Sequence, residues 1–217
     1  MSHDHDCDEH ECNEHHHHSV RAEVGQELSN FEFETYNPVE GGFERHSLGE
    51  YLEQGRWVVL FFYPGDFTFV CPTELADLAA QHEKLKSLGV EVISVSTDSK
   101  FAHLAWKQQE KLLQDVKFQM AADPAGYIAS YFGVYDDEGG TAYRGTFIIN
   151  PDGMLVSSEI NFYNVGRNAG ELVRKLEANV HLRQHPGEAC PARWTPGEKT
   201  LTPSEKLVGN VYEALNG

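Results

Sequence analysis

A single cysteine, Cys71, lies in the segment YPGDFTFVCPTE (63–74), between an aromatic run and a proline. A cysteine thiolate is a strong nucleophile and an electron donor, and the surroundings of the sulfur decide whether it forms. The alternative is a small apolar side chain that only fills space in the core. Taken alone, Cys71 fits both interpretations equally well. The elements around it must therefore decide between them.

The flanking elements give Cys71 a defined position. The apolar run RWVVLFFYP (56–64) predicts a strand buried on both faces, which Pro64 ends. After Cys71, apolar residues recur at helical spacing until Gly89, which predicts a helix over this stretch. Cys71 is therefore expected in the first turn of a helix, where free N–H groups and the helix dipole favour an anion. Pro72 suits this turn because it has no N–H to leave unpaired.

The remaining elements alternate between strands and helices. The patterns predict a strand at 90–97, helices at 99–113 and 168–184, a short strand FQMAADP, a short helix AGYIASYFGV and a hairpin around NPDG (150–153). The resulting order β-α-β-α-β-α-β-β-α predicts a thioredoxin-like fold, three layers α/β/α with a mixed central sheet.

Composition divides the chain into three parts. Residues 1–19 hold seven His, two Cys and six acidic residues, which predicts a disordered tail without a core. Residues 20–184 form the predicted domain. Residues 185–217 are rich in Pro and Gly and are expected to form a mobile C-terminal arm.

Charge and apolar runs limit the functional classes. The net charge of −17 argues against binding to nucleic acid or to anionic membrane surfaces. The longest apolar run, WVVLFFY (57–63), is too short to span a membrane, and the N-terminus lacks the features of a secretory signal. Four scattered cysteines do not suit a disulfide-stapled secreted scaffold. The expected location is therefore the cytoplasm.

A family resemblance connects these features. The pattern P-x-x-x-T-x-x-C, here Pro64, Thr68 and Cys71, resembles the active-site motif of peroxiredoxins, and FFYPGDFTFVCPTE resembles their typical 2-Cys subgroup. The segments VSTDSKFAHLAW, YRGTFIINPDG, VGR and HPGEACPARW are also similar to that subgroup. The resemblance covers residues 22–210, and GEKTLTPSEKLVG (197–209) is most similar to the peroxidase component of bacterial alkyl hydroperoxide reductases.

The resemblance implies a role for each residue of the motif. Cys71 would be the peroxidatic nucleophile that attacks a peroxide oxygen, and the Thr68 hydroxyl could reach the sulfur or its substrate. Arg144, in YRGT, would supply the cation that stabilises the thiolate and holds the peroxide. Without the resemblance, Arg144 is better interpreted as a solvated charge at a strand edge. Glu74 would orient this arginine, and Pro64 would shape the loop.

A second cysteine would complete the cycle. Cys190, in EACPARW, is the candidate resolving cysteine, and an incidental surface thiol is the alternative. The spacing leaves open whether a Cys71–Cys190 disulfide forms within or between chains, and the resemblance implies between chains. It also implies a homodimer, often five dimers in a ring, and an external dithiol or flavoprotein reductase, either thioredoxin-like or the flavoprotein partner in alkyl hydroperoxide reductase. No metal, flavin or haem is expected for the peroxide step.

The tail outside the resemblance suggests a different chemistry. Imidazole and thiolate groups are ligands for Zn, Ni or Cu, and acidic neighbours attract cations. The candidate ligands are His3, His5, Cys7, His10, Cys12, His15, His16, His17 and His18. The alternatives are an expression artefact or a tail without a function. Two further functions therefore compete with a peroxidase: a metal-sequestering protein that uses this tail, and a structural or chaperone role of the assembly.

Overall fold

The computed structural model describes residues 21–217, so the predicted metal-binding tail (1–19) lies outside the described residues. Within this range, nine strands are present: β1 (Glu32–Asn37), β2 (Gly42–Ser47), β3 (Trp57–Phe62), β4 (Val90–Ser96), β5 (Gln119–Ala122), β6 (Tyr135–Asp136), β7 (Thr141–Ala142), β8 (Arg144–Ile149) and β9 (Leu155–Asn161). Seven α-helices accompany them: α1 (Leu48–Glu53), α2 (Cys71–Ala80), α3 (His82–Ser87), α4 (Lys100–Gln109), α5 (Tyr127–Tyr131), α6 (Ala169–Gln184) and α7 (Val211–Asn216).

Seven of the strands form one mixed sheet in the order β2-β1-β5-β4-β3-β8-β9. The central strands β3, β4 and β5 are parallel, and β8 pairs antiparallel with β3 and β9. Strand β3 is buried along its whole length, and its successive side chains enter two separate core clusters, one on each face of the sheet. This is the three-layer α/β/α arrangement that the sequence predicts.

The helix after β3 differs from its prediction. It begins at Cys71, as expected, but it is broken at Gln81 into α2 and α3. The Gln81 amide donates to the Leu78 carbonyl, three residues back, so the helix tightens into a 3₁₀-type turn before continuing. Gly89 follows α3 with φ of +74°, the left-handed conformation that ends helices.

The N-terminal hairpin was not predicted. Strands β1 and β2 pair antiparallel, and β1 also pairs with β5, which extends the sheet beyond the parallel core. Their sequences, EFETYN and GFERHS, mix charged and apolar residues without a clean period, because the hairpin lies at a partly exposed end of the sheet. The small ribbon of β6 and β7 was also not predicted.

The C-terminal arm packs against α6. Asn168 caps the start of α6 by accepting from the Gly170 amide. Trp194 is buried, and its carbonyl accepts from Arg174 on α6. His181, also on α6, lies 4.8 Å from the Trp194 ring and pairs with Glu188 at 2.9 Å. Residues 188–194 of the arm therefore pack against α6. Within residues 21–217, no helix is long and apolar enough to cross a membrane.

Candidate active site

Cys71 is the first residue of α2 and is completely buried. The chain leaves β3 with the Tyr63 amide still donating to Val95 on β4, and half-buried Pro64 then turns it away from the sheet. The loop 64–70 leads back to the start of α2, and Pro72 is the second helical residue. The sulfur therefore lies at the carboxyl end of the central strand and at a helix N-terminus, as the sequence predicts.

Arg144 contacts the cysteine directly. Its Nη1 atom lies 3.3 Å from Cys71 Sγ, and only 3% of the residue is exposed. Its Nε donates to the Tyr163 carbonyl at 2.8 Å, which fixes the plane of the guanidinium. The interpretation of Arg144 as a solvated strand-edge charge is therefore wrong. It begins β8, whose pairing with β3 brings it to the end of the sheet where Cys71 lies.

Glu74 connects Arg144 to a second arginine. Its Oε2 accepts from Arg144 Nη1 at 2.5 Å, in agreement with the expected contact. Its Oε1 accepts from both the backbone N–H and the Nε of Arg167, each at 2.9 Å. Glu74 is itself buried, with 3% exposed. It therefore holds both guanidinium groups from one position, one helical turn after Cys71.

Arg167 is the functional residue that the sequence reasoning did not assign. Its guanidinium lies 3.4 Å from the centre of the Phe61 ring and donates to the Gly145 carbonyl at 2.8 Å. Burial lowers the pKa of Arg167, which the Glu74 carboxylate opposes. The only available signal was the segment VGR, which contributes to the family resemblance but implies no role by itself.

The charges of this cluster favour an anion beside Arg144. Two buried guanidinium groups share the Glu74 carboxylate, and one of them lies 3.3 Å from Cys71 Sγ. A buried net charge is costly, and the neighbouring helix N-terminus also favours the anion. The arrangement can therefore hold a nucleophilic thiolate in a site without bulk water.

Thr68 is placed differently from the sequence expectation. It is exposed, and its hydroxyl donates to the Gly65 carbonyl at 2.8 Å. In the described part of the chain it makes no hydrogen bond to Cys71, so the expected contact with the sulfur is not formed. Since the proton of the hydroxyl is engaged, its oxygen is free to accept a hydrogen bond from a substrate.

Cys190 is a half-buried free thiol on the docked arm. Its sulfur lies 3.9 Å from the Ala178 carbonyl on α6, and the adjacent Ala189 forms a bridge with Leu201. Burial raises the pKa of the Cys190 thiol, the Glu188 carboxylate raises it further, and Arg174 opposes both. Cys71 is also a free thiol.

The nine tail residues predicted to bind metal lie outside the described residues. Among residues 21–217, no group of three His, Cys, Asp or Glu side chains is arranged to hold a metal ion.

Family comparisons agree with this site. The model of the AhpC/TSA family matches residues 24–158, and the model of the C-terminal domain of 1-Cys peroxiredoxin matches residues 181–214. Alkyl hydroperoxide reductase C of Staphylococcus haemolyticus is 45% identical over 188 residues, covering 87% of this chain and 98% of that protein. The protein of the same name from Bacillus subtilis is 48% identical over 169 residues, covering 75% and 90%.

Solved structures show the same likeness. The crystal structure of Enterococcus faecalis AhpC has a TM-score of 0.73 and 45% identity, covering 77% of this chain and 98% of that one. The reduced 2-Cys peroxiredoxin of Plasmodium vivax has a TM-score of 0.81 and 30% identity, covering 87% and 98%. The chain belongs to the AhpC/TSA family of peroxiredoxins, and it is a thiol-dependent peroxidase.

Proposed function

We propose that this peroxidase reduces hydrogen peroxide and alkyl hydroperoxides in a two-cysteine cycle. Cys71 would be the peroxidatic cysteine and Cys190 the resolving cysteine of a second copy of the chain. The observation that carries the first role is the 3.3 Å contact between Cys71 Sγ and Arg144 Nη1 at the start of α2. The bacterial relatives are alkyl hydroperoxide reductases by name, which supports alkyl hydroperoxides as substrates.

In the first step, the Cys71 thiolate attacks one peroxide oxygen and the O–O bond breaks. The sulfur becomes a sulfenic acid, and the other oxygen leaves as alkoxide or hydroxide, which takes up a proton to form alcohol or water. Arg144 can stabilise the leaving anion through its N–H groups, and Thr68 can accept a hydrogen bond from the peroxide. Pro64 holds the loop that presents Thr68.

The backbone supplies a further donor. The amides of Thr73 and Glu74 both donate to the Val70 carbonyl, and Pro72 has no N–H. Among the described hydrogen bonds, the Cys71 amide donates to no other group. This N–H is therefore available to polarise a peroxide oxygen beside the sulfur.

In the second step, the Cys190 thiol condenses with the sulfenic acid, forming a disulfide and releasing water. A disulfide needs Cα atoms within about 7 Å and correctly directed side chains. Cys71 is completely buried and Cys190 is docked on α6, so both segments have to move before the bond forms. The spacing of the cysteines does not decide between one chain and two, and the family resemblance favours two.

The partners belong to the same proposal. A thioredoxin-like dithiol or the flavoprotein partner in alkyl hydroperoxide reductase would reduce the disulfide. A homodimer would be the minimal unit and a pentamer of dimers the full assembly. The peroxide step would need no cofactor, because the thiolate supplies both electrons. The cycle requires a reducing compartment, so we place it in the cytoplasm.

The test is a reductant-coupled peroxide-consumption assay on single variants. Cys71→Ser should abolish turnover, because no other thiol of residues 21–217 lies in the arginine cluster. Cys190→Ser should consume one equivalent of peroxide per chain and then stall unless a small thiol is added. The control replaces Cys7 and Cys12 together by Ser and should retain the parent rate. Full activity of Cys71→Ser would refute the proposed function.

A further inference from the structure

A second buried polar cluster anchors the loop that carries Thr68. Asp66, in the middle of the loop 64–70, is only 8% exposed, and His103 on α4 is not exposed at all. Asp66 Oδ2 lies 2.8 Å from His103 Nδ1, and Asp66 Oδ1 accepts from the Tyr63 hydroxyl at 2.8 Å. The chemistry proposed for Cys71 and Arg144 does not use any of these groups.

The partners of His103 define how many protons the pair holds. His103 Nε2 lies 3.1 Å from the Ala121 carbonyl, which only accepts, so Nε2 must carry a hydrogen. The Nδ1–Asp66 contact then needs one more proton, carried either by Nδ1 or by the carboxyl group. Without it, a lone pair of the imidazole would face a carboxylate in a buried site. The pair therefore carries no net charge, and one proton is shared between His103 Nδ1 and the Asp66 carboxyl group.

The surrounding groups favour retention of this proton. Burial raises the pKa of Asp66, and the Asp98 carboxylate adds to this effect while His103 and Tyr63 oppose it. Burial and the Asp66 carboxylate hold the pKa of Tyr63 well above its usual range, so its hydroxyl remains a donor. Asp98 Oδ2 accepts hydrogen bonds from the Asp66 amide at 2.8 Å and from the Ser96 hydroxyl at 2.7 Å.

The anchored loop is under local strain. Phe67, directly after Asp66, has φ of +56°, a left-handed conformation that costs free energy for a residue other than glycine. Its side chain is 55% exposed, and its ring centre lies 6.3 Å from that of the buried Trp106. The bonds made by Asp66, together with the bond from the Thr68 hydroxyl to the Gly65 carbonyl, hold this loop in the conformation that presents Thr68.

We propose that Asp66 and His103 are positioning residues for peroxide reduction, and that the proton they share keeps the loop 64–70 docked beside Cys71. Neither residue touches the sulfur, so they would act through Thr68 and the start of α2. This inference rests on the proposed roles of Cys71 and Thr68, but its structural part can be measured without peroxide.

Three variants separate the shared proton from simple packing. In Asp66→Asn, the amide N–H can donate to Nδ1 of a neutral His103, and its oxygen can accept from Tyr63. The second-order rate of Cys71 oxidation by hydrogen peroxide should stay within about threefold of the parent, because every hydrogen bond is kept. His103→Leu strands the Asp66 carboxylate without its partner, and the rate should fall by about tenfold or more. The double variant should recover most of this loss, because the stranded charge is gone.

Hydrogen exchange provides the readout that is independent of chemistry. In the reduced protein, amides of residues 65–70 should exchange about tenfold faster in His103→Leu than in the parent, and at the parent rate in Asp66→Asn. Exchange in β3 and α6 should be unchanged, which shows that the domain is folded. Asp115→Asn, at an exposed position, is the control for removal of an acidic group and should match the parent in both measurements.

Two results would overturn the inference. One is a double variant as slow as His103→Leu, because packing rather than the unpaired charge would then be responsible. The other is loop exchange in Asp66→Asn that is as fast as in Asp66→Ala, a variant that removes both side-chain bonds. This comparison also tests the inference if His103→Leu does not fold. If Cys71 of the parent does not react with peroxide while the loop of Asp66→Asn exchanges at the parent rate, only the proposed chemistry is refuted.

Discussion

Cys71 Sγ and Arg144 Nη1 lie 3.3 Å apart although 73 residues separate them in the chain. The same nitrogen also donates to Glu74, so the arginine connects the sulfur to a buried carboxylate. Glu74 in turn binds Arg167, and the four side chains form one electrostatic unit. The consequences of this unit can be measured by changing one member at a time.

Glu74→Gln should destabilise the protein and slow it. The amide cannot neutralise two buried guanidinium groups, so we expect the free energy of unfolding to fall by about 3 kcal/mol, as when one partner of a buried ion pair is removed. Arg144 would also no longer be held in a fixed position beside Cys71, which is why oxidation should be slower. Urea unfolding and single-turnover oxidation measure the two effects. Glu83→Gln, at an exposed and salt-bridged position, is the control, and equal stability of the two variants would contradict the prediction.

Arg167→Lys should lower the rate although the charge is retained. Lysine cannot reproduce the two bonds to Glu74, the bond to Gly145 and the stacking on Phe61. We expect the second-order rate constant for peroxide to fall by about tenfold, since Glu74 would no longer hold Arg144 in one orientation. Stopped-flow tryptophan fluorescence measures this rate. A parent-like rate would show that only the charge of Arg167 matters.

Thr68→Val should slow peroxide reduction, and Thr68→Ser should not. Valine removes the oxygen that is free to accept from a substrate, and we expect a loss of about tenfold or more in the rate constant, the usual scale for a hydrogen bond to a reacting group. Thr73→Val is a matched control, because that hydroxyl also donates to a loop carbonyl, Val70, at 2.6 Å. If both valine variants lose the same activity, loop structure rather than substrate contact is the cause.

The reactivity of Cys190 should depend on pH in a defined direction. The pKa of this thiol is raised, so its thiolate forms only at alkaline pH. The rate of alkylation by iodoacetamide should therefore still increase about tenfold per pH unit up to about pH 8.5, the ordinary pKa of a thiol. Mass spectrometry of the peptide with Cys190, in Cys71→Ser protein, measures this rate. Glu188→Gln removes one cause of the shift and should move the profile to lower pH. A plateau below about pH 8 in the parent would contradict the raised pKa.

Deletion of residues 1–19 should separate the tail from the enzyme. Peroxidase activity should survive, because the cluster around Cys71 is built from side chains of the folded domain, whereas binding of Ni²⁺ or Zn²⁺ measured by calorimetry should be lost. The full chain, stripped of metal with a chelator, should keep its peroxidase rate. Loss of activity on chelation would show that the peroxide step depends on metal.

Local sequence patterns predicted the central strands of the sheet and the position of Cys71. The apolar run 56–64 and the helical spacing after it place Cys71 at a strand end and a helix start, because both signals arise from neighbours in the chain. The hairpin around NPDG and the extent of α6 follow in the same way. The motif with Thr68 and Cys71 then identified the family.

These patterns could not predict which polar residues become buried by contacts between distant parts of the chain. Arg144, Arg167, Asp66 and His103 are polar residues in a strand, a loop and a helix, and nothing local distinguishes them from solvated ones. Only the pairing of β8 with β3, and the packing of α4 on the sheet, remove them from water and bring their partners within hydrogen-bonding distance. The sequence by itself placed Cys71 at a strand end and a helix start and, through its motif, identified the family. The tertiary structure decided which charges surround Cys71, because desolvation depends on the whole fold and not on neighbours in the chain.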